Sequence, residues 1–66
     1  MRPTNADLVR QIRAYLAKEG LRQYELAAQI GISPPALNRW LTGTCKISNA
    51  WRQLLEMNGI VTLKEE

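Results

Sequence analysis

The stretch QYELAAQIGISPPALNRWL, residues 23–41, contains two short amphipathic segments that are joined by a single turn. Gln23, Ala27 and Gly31 are each four residues apart, a spacing that places side chains on one face of a helix. We expect Ala27 to lie where a second helix crosses, since a larger side chain there would push the helices apart. Gly31 is expected to adopt the left-handed backbone conformation that ends a helix and turns the chain sharply. The stretch therefore predicts two helices that pack across a short turn.

The second half of this stretch has the features of a helix start. Ser33 is a favoured N-cap, and Pro34 follows at the first helical position, where its missing N–H costs nothing. The apolar positions are expected to fill the core beneath the helix pair: Leu26, Ile30, Ile32, Leu37 and Trp40. The side chains left facing outward on the second helix are Ser33, Pro35, Asn38 and Arg39.

Further helices are predicted on both sides of this pair. Thr4 and Asp7 have the spacing of a capping box, and the helix after them ends at Gly20. Its apolar stripe with a period of 3.6 residues is Leu8, Ile12, Tyr15 and Leu16. Ser48 is expected to cap a fourth helix that ends near residues 58–59. We predict one all-α domain, residues 1–66, built as a compact bundle of four to five short helices.

Residue types exclude most catalytic and metal chemistry. The chain has no histidine and a single cysteine, Cys45, so it offers neither an internal disulfide, nor a four-ligand zinc site, nor a His-activated nucleophile. The six acidic residues are scattered. We therefore predict a protein that is not an enzyme and holds no cofactor or metal. Cys45 is expected to be an ordinary loop residue, with a redox switch as the alternative.

Hydropathy and charge restrict location and partners. No apolar run approaches the ~20 residues that span a bilayer, and the N-terminus lacks the apolar core of a secretory signal, which predicts a cytoplasmic protein without a membrane partner. The net charge is +3; the last three residues contribute −1, so residues 1–63 carry +4. This balance favours a polyanionic partner. It is equally compatible with an ordinary, mildly basic soluble domain.

The pattern of residues 23–41 resembles the helix-turn-helix of the Cro and lambda-repressor-like (Xre-type) family. The resemblance covers roughly residues 8–58 and includes the exit Trp40-Leu41-Thr42-Gly43. It implies that the helix after Ser33, the third in the chain, lies in the major groove of double-stranded DNA and reads base edges. It also implies a transcriptional repressor of the phage or mobile-element type, which occludes a promoter by binding a short, pseudo-palindromic operator.

The resemblance also assigns candidate contacts. The implied base-reading residues are Ser33, Pro34, Pro35, Asn38 and Arg39. Gln23 would contact a phosphate and brace the recognition helix, and three residues after that helix would lie along the DNA backbone: Thr42, Thr44 and Lys46. Further candidates for phosphate contact are Arg10, Arg13, Arg22 and Arg2, for which a solvated surface is the alternative.

The chain departs from the family pattern at the start of the recognition helix. Positions that are usually polar are Pro34 and Pro35, which cannot donate hydrogen bonds and offer only apolar contact, for instance to a thymine methyl. Direct reading then falls mainly on Asn38, suited to adenine, and Arg39, suited to guanine or to a phosphate.

Two further departures concern packing. Many family members pair an Arg late in the first helix with a Glu at the end of the recognition helix, and Leu16 and Leu41 occupy these positions here. We expect an apolar contact instead of the ion pair, and the loss of one phosphate-orienting Arg. Ile47 stands where the family often has Pro, which leaves the start of the fourth helix open.

Partner predictions follow from the remaining apolar residues. Trp40 and Trp51 are expected in the core rather than as stacking platforms for bases. A homodimer is expected through the fourth helix and the tail, residues 61–66, with candidate contacts Trp51, Leu55, Ile60, Val61 and Leu63; folding back of these residues onto their own core is the alternative.

The rival function is a protein-interaction or antitoxin-like module that uses the same fold without specific DNA binding. The absence of acidic residues on the recognition face favours DNA, and the double proline slightly favours the rival.

Overall fold

The computed structural model of the protein describes residues 3–63, which form four helices and no strand. The helices are α1 (Asn5–Glu19), α2 (Gln23–Ile30), α3 (Pro34–Thr42) and α4 (Asn49–Met57). The predicted all-α architecture is confirmed, and the tail after α4 forms no fifth helix up to residue 63. Within the described part of the chain, no helix has both the length and the apolar character that crossing a membrane requires.

The helix starts follow the capping signals in the sequence. The Thr4 hydroxyl accepts the Asp7 N–H (3.1 Å) and the Asp7 carboxylate accepts the Thr4 N–H (3.0 Å), which confirms the predicted capping box. The carboxylate bond lowers the pKa of Asp7 below its ordinary value of 3.8, with a smaller contribution from Arg10. At α2 only half of a box forms, because Arg22 gives no side-chain cap while Glu25 accepts the Arg22 N–H at 2.9 Å.

The core lies where α1 and α2 pack against α3 and is closed by α4 and the tail. Ala27 is fully buried, as expected for the residue at the crossing of α2 and α3. Of the core residues predicted in the turn region, only Ile32 keeps part of its surface exposed. The buried apolar residues are Leu8, Ile12, Leu26, Ala27, Ile30, Leu37, Trp40, Leu41, Ile47, Leu55, Ile60 and Val61.

The tail folds back on the chain's own core. Ile60 and Val61 are 5% and 4% exposed, and Leu55 is fully buried. Gln11 on α1 fixes the tail from outside, because its carboxamide accepts the Thr62 N–H at 2.7 Å and donates to the Thr62 carbonyl at 3.4 Å. The prediction that Leu55, Ile60 and Val61 contact a second copy is therefore wrong, since these apolar side chains are already buried in the core of their own chain. Tail residues 64–66 lie outside the described residues.

Candidate nucleic-acid interface

The turn before α3 fixes how this helix is presented. Gly31 has a φ of +85°. This left-handed residue allows the N–H groups of Gly31 and Ile32 both to bond to the Ala27 carbonyl, at 2.9 and 3.0 Å. Ser33 then caps α3, and its hydroxyl accepts the Ala36 N–H at 3.3 Å. The helix therefore begins immediately after the turn, with one side against α2.

The first turn of α3 offers few hydrogen-bond donors. Pro34 and Pro35 are exposed and have no N–H, and the next two N–H groups, those of Ala36 and Leu37, bond to the Ser33 carbonyl. A helix N-terminus usually presents free N–H groups to an anion. At α3 these donors are absent or already bonded, so contacts at this end depend on side-chain shape and on the Ser33 hydroxyl.

The middle of α3 separates apolar and polar residues cleanly. Leu37, Trp40 and Leu41 are buried, while Asn38 and Arg39 between them are exposed. Within residues 3–63, neither the Asn38 side chain nor the Arg39 side chain forms a hydrogen bond or ion pair, and only the Arg39 main-chain carbonyl accepts a side-chain donor, the Thr42 hydroxyl. Both side chains therefore keep their donors available for a ligand.

The exit from α3 places two hydroxyls together. Gly43, with a φ of +83°, reverses the chain, and the Arg39 carbonyl accepts the N–H groups of Thr44 (2.9 Å) and Cys45 (3.2 Å). As a result, the hydroxyl oxygens of Thr42 and Thr44 lie 3.1 Å apart on the surface. Lys46 follows in the same loop and is exposed. The Thr42 hydroxyl also donates to the Arg39 carbonyl at 3.3 Å, so this exit combines a bonded pair of exposed hydroxyls with a cation, groups that occur in contacts to phosphate oxygens.

The other candidates for phosphate contact differ in their surroundings. Gln23 is half-buried at the start of α2, and Arg22 before it is exposed. Arg10 pairs with Asp7 at 3.5 Å in an exposed i,i+3 contact. Arg13 instead donates from Nη2 to the carbonyl oxygen of Leu41, at the end of α3, at 3.0 Å. Arg2 lies outside the described residues.

A cluster that was not among the predicted site residues anchors the loop before α4. Arg52 donates to the carbonyls of Ile47 (3.0 Å) and Pro3 (3.3 Å), and Asn5 accepts the Ile47 N–H at 2.9 Å. Ile47 is thus buried and bonded where the family often has Pro, and Ser48 caps α4 as predicted. No local signal could have revealed these bonds, because they join residues 42 and 49 positions apart as well as near neighbours.

Comparison with known families agrees with this geometry. A family model described as helix-turn-helix matches residues 12–49, which include α2, the turn and α3 and amount to more than half of the chain. The chain therefore belongs to this helix-turn-helix family, the Cro and lambda-repressor-like (Xre-type) class. Proteins of this family are DNA-binding transcription regulators rather than enzymes. No curated protein and no solved structure matches the chain significantly.

Proposed function

We propose that the protein is a sequence-specific repressor, of the phage or mobile-element type, that inserts α3 into the major groove of a short operator. The observation that carries this proposal is the exposed pair Asn38 and Arg39, whose donors are unused within residues 3–63 while their neighbours Leu37 and Trp40 hold the helix in the core. Base edges in the major groove are distinguished by such free donors and acceptors on a rigid helix.

Each residue on α3 has a proposed role. Asn38 is suited to the N6 and N7 atoms of adenine, and Arg39 to the O6 and N7 atoms of guanine or to a phosphate. Pro34 and Pro35 supply apolar contact to a thymine methyl, because their ring carbons are exposed and they cannot donate. Ser33 contributes its hydroxyl at the edge of this surface.

Phosphate binding is proposed on both sides of α3. These contacts position the helix and make affinity depend on salt, without reading sequence. The hydroxyls of Thr42 and Thr44 support this role, since both are exposed and lie 3.1 Å apart in the loop that carries Lys46. The proposed phosphate contacts are Arg10, Arg13, Arg22, Gln23, Thr42, Thr44 and Lys46.

A homodimer is proposed on operator half-sites about one helical turn apart. Of the dimer contacts predicted from the sequence, Trp51 and Leu63 keep part of their surface exposed, and Met57 on α4 is 85% exposed. We therefore propose α4 as the dimer face. Sedimentation of the protein at concentrations that saturate DNA should give a dimer, and Met57→Asp should shift it to a monomer; a wild-type monomer would remove this part of the proposal.

The function is tested by selection from random duplex DNA, followed by anisotropy titration of the selected duplex at several salt concentrations. Arg39→Ala should reduce discrimination against a base change by about ten- to a hundredfold if Arg39 reads a base. Lys46→Ala is the matched control, expected to weaken binding to all duplexes alike and to reduce the salt slope by about one. If no motif is enriched, the fold serves a protein partner, as in the antitoxin-like alternative.

A further inference from the structure

Arg13 forms the only side-chain hydrogen bond within residues 3–63 that joins α3 to another helix. Its Nη2 donates to the carbonyl oxygen of Leu41 at 3.0 Å, across 28 positions of sequence and in a partly buried setting. The other side-chain bonds at α3 stay within the helix or its flanking residues. The polar connection between α1 and the recognition helix therefore depends on one guanidinium.

The Leu41 carbonyl is open to Arg13 for a structural reason. The last carbonyls of a helix lack helical partners, and the N–H four residues after Leu41 belongs to Cys45. That N–H bonds to the Arg39 carbonyl instead, at 3.2 Å, because the chain reverses at Gly43. A cation at this end also complements the negative pole of the helix dipole. Arg13 is thus bound at the place where α3 has both a free acceptor and partial negative charge.

The bond from Arg13 to the Leu41 carbonyl changes the interpretation of the apolar pair Leu16 and Leu41. Leu16 packs against the core and Leu41 is 5% exposed, so neither supplies a charge between α1 and α3. Arg13 lies one turn before Leu16 and reaches the main chain of Leu41 rather than a side chain. The acceptor is therefore independent of which side chain occupies position 41.

We propose that Arg13 is a positioning residue of the DNA interface: it holds the C-terminal end of α3 against α1 and so sets the angle at which Asn38 and Arg39 meet the bases. This inference rests on the proposed function. A guanidinium has five N–H groups and the Leu41 carbonyl occupies one, so others remain free for a phosphate on the exposed side of Arg13. A single side chain then couples helix orientation to backbone binding.

The test compares Arg13→Met with Arg10→Met, which removes the same charge one turn earlier on α1, where no bond to α3 exists. Dissociation constants are measured for the selected operator and for a scrambled duplex of equal length. In Arg13→Met, the dissociation constant for the scrambled duplex divided by that for the operator should fall about tenfold, roughly the effect of one wrong base pair. Arg10→Met should weaken both duplexes alike and leave the ratio unchanged. Amide NMR shifts of residues 41–45 in the free protein should move in Arg13→Met only.

Three outcomes separate the hypotheses. A wild-type protein that does not discriminate between the duplexes refutes the proposed function, before any variant is compared. If the wild type discriminates and Arg13→Met weakens both duplexes equally, Arg13 binds phosphate only and the positioning role is refuted. If Arg13→Met does not fold at the assay temperature, Arg13→Lys replaces it in the test, since lysine keeps the charge but replaces the planar fork by a flexible point donor. The proposal would be overturned if the amide shifts of residues 41–45 move in the variant tested while the ratio of its two dissociation constants stays at the wild-type value.

Discussion

The indole rings of Trp40 and Trp51 meet edge to face, with 5.5 Å between their centroids and 63° between their planes. Trp40 belongs to α3 and is buried, while Trp51 belongs to α4 and is half-buried. The expectation that both residues serve the core is confirmed for Trp40, and Trp51 packs against that core. The ring pair fastens the helix that carries the candidate interface to α4.

Trp51→Ala should lower the free energy of unfolding by about 2–3 kcal/mol, because it removes the ring contact and leaves a partly filled space beside Trp40. Urea denaturation measures this change. Tyr24→Ala, an aromatic truncation on α2, is the control, expected to change stability by less than about 0.5 kcal/mol since Tyr24 is 56% exposed. Equal effects of the two substitutions would contradict the role of the ring pair.

Ala27→Val should destabilise the protein by about 1–3 kcal/mol, since Ala27 is fully buried where α2 crosses α3 and added methyl groups force the helices apart. Ala28→Val, at the exposed neighbouring position, controls for the lower helix propensity of valine. Chemical denaturation of both variants gives the comparison. A smaller loss for Ala27→Val than for Ala28→Val would show that the crossing has spare room.

Gly31→Ala should cost about 1–2 kcal/mol, the price of placing a Cβ in the left-handed conformation. An added Cβ would meet no atom within 4 Å, so the cost comes from the backbone alone. Gly31→Asn should cost less, because asparagine tolerates this conformation better. The order of the melting temperatures, wild type above Asn above Ala, checks the prediction; an Ala variant as stable as the wild type would refute it.

Asp7 should make α1 sensitive to acid. Because the bond from the Thr4 N–H lowers the pKa of Asp7 in the folded protein, the stabilisation is present above the unfolded pKa and is lost as the pH falls through the folded value. Asp7→Asn should therefore melt below the wild type at pH 6, and the difference should vanish near about pH 2. Glu19→Gln removes an equal charge at the other end of α1 and controls for net charge. A difference that persists unchanged at low pH would contradict this mechanism.

Val61→Asp should largely unfold the protein, since it buries an unpaired charge at a position that is 4% exposed. Thr62→Asp, one residue further at an exposed position, should be tolerated. Circular dichroism and sedimentation distinguish the cases. A folded, monomeric Val61→Asp would mean that the tail serves a second copy in solution rather than the core.

The extent of the helices could be predicted because their ends are determined locally. A serine or threonine hydroxyl starts a helix by accepting the N–H three residues later, and a glycine after an apolar stripe ends one, whatever surrounds them. Thr4, Ser33, Ser48 and Gly31 therefore indicated the helix boundaries correctly. The exposed face of α3 followed from the same periodicity. Family membership followed as well, since it depends on residues within one contiguous stretch.

Tertiary structure alone decided which surfaces remain free. The apolar tail was compatible with a dimer or with the core, and the structure packs Ile60 and Val61 into the core, with Thr62 bonded to Gln11, 51 positions away. Arg10 and Arg13 are similar surface arginines in the sequence, yet only Arg13 reaches the Leu41 carbonyl. That carbonyl is available because the reversal at Gly43 takes away its helical partner. Such pairings depend on where distant segments meet in space, and periodicity along the chain carries no information about them.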